Sequence, residues 1–87
     1  MATENILALV FVVEGTKVPL EVNVNRPLQS VLGEVLEKAG VVGDKDPSKW
    51  FFKYNEQTIN DPNRKILEFG FVAGALIFVN LKAGQVG

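Results

Sequence analysis

The chain has neither cysteine nor histidine. It therefore lacks a thiol nucleophile, a disulfide, and the two commonest transition-metal ligands. The remaining groups able to do chemistry are carboxylates and amines. Asp44, Asp46 and Asp61 fall in loop-like stretches, but their spacing is not that of a calcium loop. No carboxylate pair, phosphate-cradling glycine loop or nucleophile–base pair can be recognised. Lys17, Lys38, Lys45, Lys49, Lys53, Lys65 and Lys82 are amines that an acyl donor could modify, although solvated lysines are ordinary. These residues point away from an enzyme and from any metal or cofactor.

Bulk properties narrow the partners. Nine basic residues against ten acidic ones leave a net charge of −1. A surface that tracks nucleic-acid phosphates needs a basic excess, and an anionic membrane needs a polybasic patch. The longest apolar run, from Ile6 to Val13, is too short to span a bilayer as a helix, which takes about 20 residues. Met1 to Asn5 lacks the basic start and cleavage site of a signal peptide. The expectation is one domain in the cytoplasm, with residues 1–5 a flexible N-terminus, 6–82 the folded unit and 83–87 a flexible tail.

The elements that must carry any function follow from periodicity. Ile6 to Val13 is aliphatic at nearly every position and suits a central strand. Glu14-Gly15-Thr16 reads as a tight turn, after which Val18, Leu20, Val22 and Val24 alternate with polar residues and Pro19. This period of two predicts an antiparallel hairpin, with its second strand at a sheet edge because of the proline. Pro27 fits the first position of a helix whose stripe is Leu28, Val31, Leu32, Val35 and Leu36, ending at Gly40. Gly33 within that helix suggests close approach of helix to sheet. Further on, Trp50 to Tyr54 predicts a strand, Thr58-Ile59 a very short one, Ile66 to Phe71 a helical turn or irregular segment, and Ala75 to Leu81 a last strand. One amphipathic helix can bury its stripe only against a sheet, which gives an α+β fold with a mixed sheet and one helix across it. The first and last strands, the most apolar, belong side by side and parallel in its middle.

This arrangement resembles the β-grasp fold of ubiquitin and its relatives over residues 6–84. Val18-Pro-Leu-Glu-Val22 is similar to ubiquitin's second strand, and Leu28, Val31 and Val35 fall on its helix core positions. The stretch from Trp50 to Asp61 resembles the strand, turn and short strand carrying ubiquitin's recognition patch. Glu68-Phe-Gly-Phe71 and the ending Leu81-Lys-Ala-Gly84 look like the small bacterial ubiquitin-like proteins encoded beside activating-enzyme, conjugating-enzyme and metallopeptidase homologues.

The resemblance implies a protein modifier without an active site of its own, whose reactive group is the C-terminal carboxylate. Its tail must thread narrow enzyme channels, and glycine suits them because it lacks a Cβ. Gly87 ends the chain, preceded by Val86 where a second glycine is usual. Gly84, after Ala83, would become terminal if a peptidase removed the last three residues. The implied partners are activating-like and conjugating-like enzymes, a deconjugating peptidase, and protein targets or further copies of the chain.

Alternation assigns Val10, Val18, Leu20, Val22, Phe52, Leu76 and Phe78 to the core. The opposite set, Leu7, Leu9, Phe11, Ile77 and Val79, is then expected to point away from the helix, beside Lys53. By the resemblance, Val79 falls on a member of ubiquitin's partner-binding patch and Lys53 on its central isoleucine. That exposed face would serve a second kind of function, a non-covalent adaptor that never reacts. A third is a sulfur carrier, against which the missing second glycine counts.

Overall fold

A computed structural model of the chain describes residues 5–41, 43 and 46–82, apart from the side chain of Pro47. Residues 1–4 and the expected tail, with Ala83, Gly84, Val86 and Gly87, lie outside the described residues. Among the described residues there are five strands, β1 (Ile6–Val13), β2 (Thr16–Asn23), β3 (Trp50–Tyr54), β4 (Gln57–Thr58) and β5 (Ala75–Leu81), and one α-helix, α1 (Leu32–Lys38). They form one mixed sheet in the order β2-β1-β5-β3-β4. β1 and β5 are parallel neighbours, and β2 with Pro19 is an edge. This is the β-grasp arrangement expected from the sequence.

The first hairpin decides which side of the sheet is the core. Val13 pairs with Thr16, so the turn is only two residues, Glu14-Gly15. Both have positive φ, 51° and 86°, as a type I′ turn requires. Directly opposite residues in an antiparallel pair share a face. Phe11 therefore sits with Val18, Leu9 with Leu20 and Leu7 with Val22. The three-residue turn expected from Glu14-Gly15-Thr16 would have placed Val10 with those residues instead. Parallel pairing of Phe11 with Ile77 and antiparallel pairing of Val79 with Phe52 carry the same facing across the sheet.

The helical segment departs from expectation at its start. Leu28–Val31 is a 3-10 turn leading into α1, and Pro27 is extended (ψ 142°) in an antiparallel bridge with Lys65. No side chain caps this start. Helix starts leave backbone N–H groups without intrahelical partners. Here the Leu28 and Gln29 N–H groups donate to the carbonyls of Arg64 and Pro62, at 3.0 and 2.8 Å. In return, Ile66 and Leu67 donate to the carbonyls of Arg26 and Val24. The segment ending in the 3-10 turn Ile66–Phe69 is thereby stitched alongside the chain that enters the helix.

The end of α1 matches its sequence. Gly40 has φ 81°, its N–H donates to Glu37, and the Val41 N–H donates to Leu36. These two bonds make a Schellman motif, which glycine permits because it has no Cβ to clash in the left-handed region. The stripe from Leu28 to Leu36 is fully buried against Leu9, Phe11 and Val79 of the sheet, with Ile66 closing one end. Each such side chain stabilises the fold by about 1.5–3 kcal/mol relative to exposure. A helix this short holds its shape through that packing, since isolated helices below about 12 residues are marginal.

Gly33 does not mark a close approach. It is exposed, and an added Cβ would meet nothing within 4 Å. Gly33→Ala is accordingly expected to raise stability by about 1 kcal/mol in urea denaturation. Gly40→Ala, forced into the left-handed region, is expected to lower it by about 1–2 kcal/mol.

Candidate functional site

The two faces of the sheet differ sharply. Leu9, Phe11, Ile77 and Val79 are at most 1% exposed and point into the core. Leu7 is partly buried and packs against it. The expectation that these five side chains form an open partner-binding face is thus overturned. A one-residue difference in turn length exchanges every side chain between faces, because the strand period is two. The same correction applies to Leu76 and Phe78, expected in the core. They are 45% and 41% exposed on the face away from the helix.

Lys53 lies on that open face, as expected, and is partly buried there. One row crosses the whole sheet: Lys17 of β2, Val12 of β1, Phe78 of β5, Lys53 of β3 and Thr58 of β4, each opposite the next. The adjacent row places Pro19, Val10 and Leu76 side by side, and beyond it Glu21 is opposite Ala8. The centre of the open face is therefore an apolar strip of Val10, Val12, Leu76 and Phe78. Lys17 and Lys53 flank the Val12–Phe78 row, and Glu21 lies toward the other end. Glu56, from the β3–β4 turn, lies beside Lys53, where Lys53, Glu56, Phe78 and Asn80 line a shallow dent. That turn holds Asn55 and Glu56 at φ 53° and 64°, like Glu14-Gly15 a two-residue turn of positive φ.

The local sequence explains this placement. β5 alternates Ala75, Ile77 and Val79 inward with Leu76, Phe78 and Asn80 outward, all but Asn80 apolar, so hydrophobicity alone does not reveal which set is buried. The signal that identifies Leu76 and Phe78 is the Glu14-Gly15 pair, since glycine as the second of two turn residues favours the type I′ hairpin. Large exposed apolar side chains gathered on one face mark interaction surfaces.

Elsewhere, chemistry is sparse. Among the described residues no group of three or more carboxylate, histidine or cysteine side chains stands ready for a metal ion. The Asp46 carboxylate accepts the Ser48 N–H at 3.0 Å and its hydroxyl at 2.9 Å, which shapes the turn Pro47–Lys49. A wide groove beside that turn is lined by Gln29, Ser48, Asn60 and Asn63, among others. Asp46 and Lys82 add opposite charges to that lining. No helix is long and apolar enough to cross a membrane.

Residues 2–87 match the model of a family of proteins of unknown function, DUF2604. The chain belongs to this family. A similar protein is the uncharacterized protein y4jI of Sinorhizobium fredii, 35% identical over 81 residues, or 93% of the chain. The chain spans 62% of that relative's length. Solved structures with the same fold include a de novo protein designed on ubiquitin (TM-score 0.74, 18% identity, 95% of this chain and 96% of the other). The ubiquitin of Caldiarchaeum subterraneum (0.70, 15%, 93% and 99%) and a ubiquitin-like domain from Arabidopsis thaliana (0.71, 17%, 100% and 88%) also share it. This DUF2604 chain has the ubiquitin-like β-grasp fold.

The two faces can be told apart by stability. Phe11→Ala is expected to cost about 3–5 kcal/mol, enough to unfold so small a domain. Phe78→Ala is expected to cost about 1 kcal/mol or less. Urea denaturation of both variants checks this, and equal losses would contradict the facing described.

Proposed function

We propose that the chain is a bacterial ubiquitin-like protein modifier, acting in the cytoplasm and joined to its targets through a C-terminal glycine carboxylate. The observation that carries this reading is the ubiquitin-like fold over nearly the whole chain, with β5 ending at Leu81 just before the glycine-containing residues 83–87. With no cysteine or histidine to contribute, the domain leaves catalysis to its partners.

In this reading the terminal carboxylate attacks the α-phosphorus of ATP on an activating-like enzyme and expels pyrophosphate. A cysteine thiolate of that enzyme then displaces AMP, giving a thioester that passes to a conjugating-like enzyme. A lysine amine of the target, or of another copy, displaces the thiolate and loses a proton, leaving an isopeptide bond. A peptidase reverses the attachment by hydrolysis.

A second reading, a non-covalent adaptor, is favoured by one observation: Leu76 and Phe78 are exposed at the centre of the open sheet face. It needs no reactive tail. The sulfur-carrier alternative is weaker, because Val86 stands where a second glycine is usual.

The test is incubation of the full chain with ATP and an activating-enzyme homologue from the same genome, resolved on a non-reducing gel. A band that shifts by the mass of one chain and collapses on adding thiol is the expected outcome, lost on deletion of Gly87. Loss only when Gly84 is replaced would identify trimming as a required first step. Absence of any adduct, with an enzyme that demonstrably forms an adenylate, would overturn the modifier reading in favour of the adaptor.

A further inference from the structure

β2 ends the sheet, and along an antiparallel pair the hydrogen-bonded positions alternate. Thr16 stands opposite Val13 across a two-residue turn, a hydrogen-bonded position. Thr16, Val18, Leu20 and Val22 therefore direct their N–H and C=O groups at β1. The Val24 N–H keeps that sense and donates to the Asn5 carbonyl at 2.8 Å. Lys17, Pro19, Glu21 and Asn23 direct their backbone groups the other way, out of the sheet. The Asn23 carbonyl accepts the Arg26 N–H at 3.0 Å, which closes that end of the edge. The stretch from Lys17 to Glu21 stays open, and its three outward residues are exposed.

A second copy fits this stretch under one symmetry operation. A two-fold axis normal to the sheet at Pro19 sets two β2 strands antiparallel, edge to edge. Lys17 of each copy then lies directly opposite Glu21 of the other, so opposite charges meet on both sides of the axis. Neither side chain forms an ion pair with another described residue. The backbones of these residues would exchange both of their hydrogen bonds, and such an isologous interface is self-complementary. Only the centre fails. Pro19 has no N–H to donate, and its ring fills the space a facing carbonyl would enter. Sliding the register by two residues sets Pro19 against Lys17 or Glu21 instead, and breaks the charge match.

We propose that the outer edge of β2 is a self-pairing edge held closed by Pro19, which keeps the domain monomeric. Free N–H and C=O groups on an edge strand are a template for another strand. With an N–H supplied at position 19, two copies would join into one continuous sheet. This role uses neither the chain's end nor the open face, so it stands apart from the modifier and adaptor readings.

The experiment is sedimentation of the 87-residue chain and of Pro19→Val from about 10 μM to about 1 mM, a range that brackets weak association. Valine favours strands, so the variant is expected to fold with an unchanged circular dichroism spectrum. The parent chain is expected to stay monomeric, and Pro19→Val to show a concentration-dependent monomer–dimer equilibrium. Amide exchange at positions 17, 19 and 21 of the variant is expected to slow as the dimer forms. Adding Lys17→Glu sets carboxylate against carboxylate and is expected to weaken the dimer about 10-fold or more, and adding Glu21→Lys as well to recover it. A parent chain that dimerises, a Pro19→Val variant monomeric throughout, or a dimer indifferent to Lys17→Glu would each overturn the proposal.

Discussion

The pairing of β1 with β2 through a two-residue turn is the constraint on which the rest of the molecule rests. β1 is apolar on both of its faces, so its own sequence permits either to be buried. β2 is not so permissive, because Val18 and Val22 alternate with Lys17 and Glu21. Once Val13 is fixed opposite Thr16, the polarity of β2 is transmitted to β1, and Phe11 and Leu9 must join the core. β1 passes the same choice to β5 through their parallel register, and β5 passes it to β3. Glycine at position 15 is what lets the chain make that turn without a third residue.

The second organising interaction is the exchange of backbone hydrogen bonds between residues 24–29 and 62–67. It replaces a side-chain cap at the start of the helix with carbonyls from a distant part of the chain. The helix is therefore anchored at one end by tertiary contacts and at the other by the local Gly40 motif. Between them the buried stripe fixes its rotation over the sheet. This arrangement explains how so short a helix, interrupted by an exposed glycine, remains an ordered lid on the core.

β5, the strand at the heart of the sheet, runs from Ala75 to Leu81. The open face is set by the outward residues of the same strand together with those of β1 and β3. Its aromatic and aliphatic centre is bordered by Lys17 and Lys53, with Glu56 beside Lys53.

The sequence by itself determined the elements, their order and the fold class. Periodicity identified the helix stripe, and Pro19 marked the edge strand. The apolar character of the first and last strands placed them in the centre. It also put Lys53 on the outward face. These are local signals, written in residue type and spacing. What only the tertiary structure decided was which face of β1 and β5 is buried, and with it the exchange of Leu9, Phe11, Ile77 and Val79 for Leu76 and Phe78 as candidate contact residues. The physical reason is that both strands are apolar on both sides, leaving no periodicity to break the tie. The facing was settled by a register of period two that a single turn residue can invert, and by pairings between strands far apart in the chain.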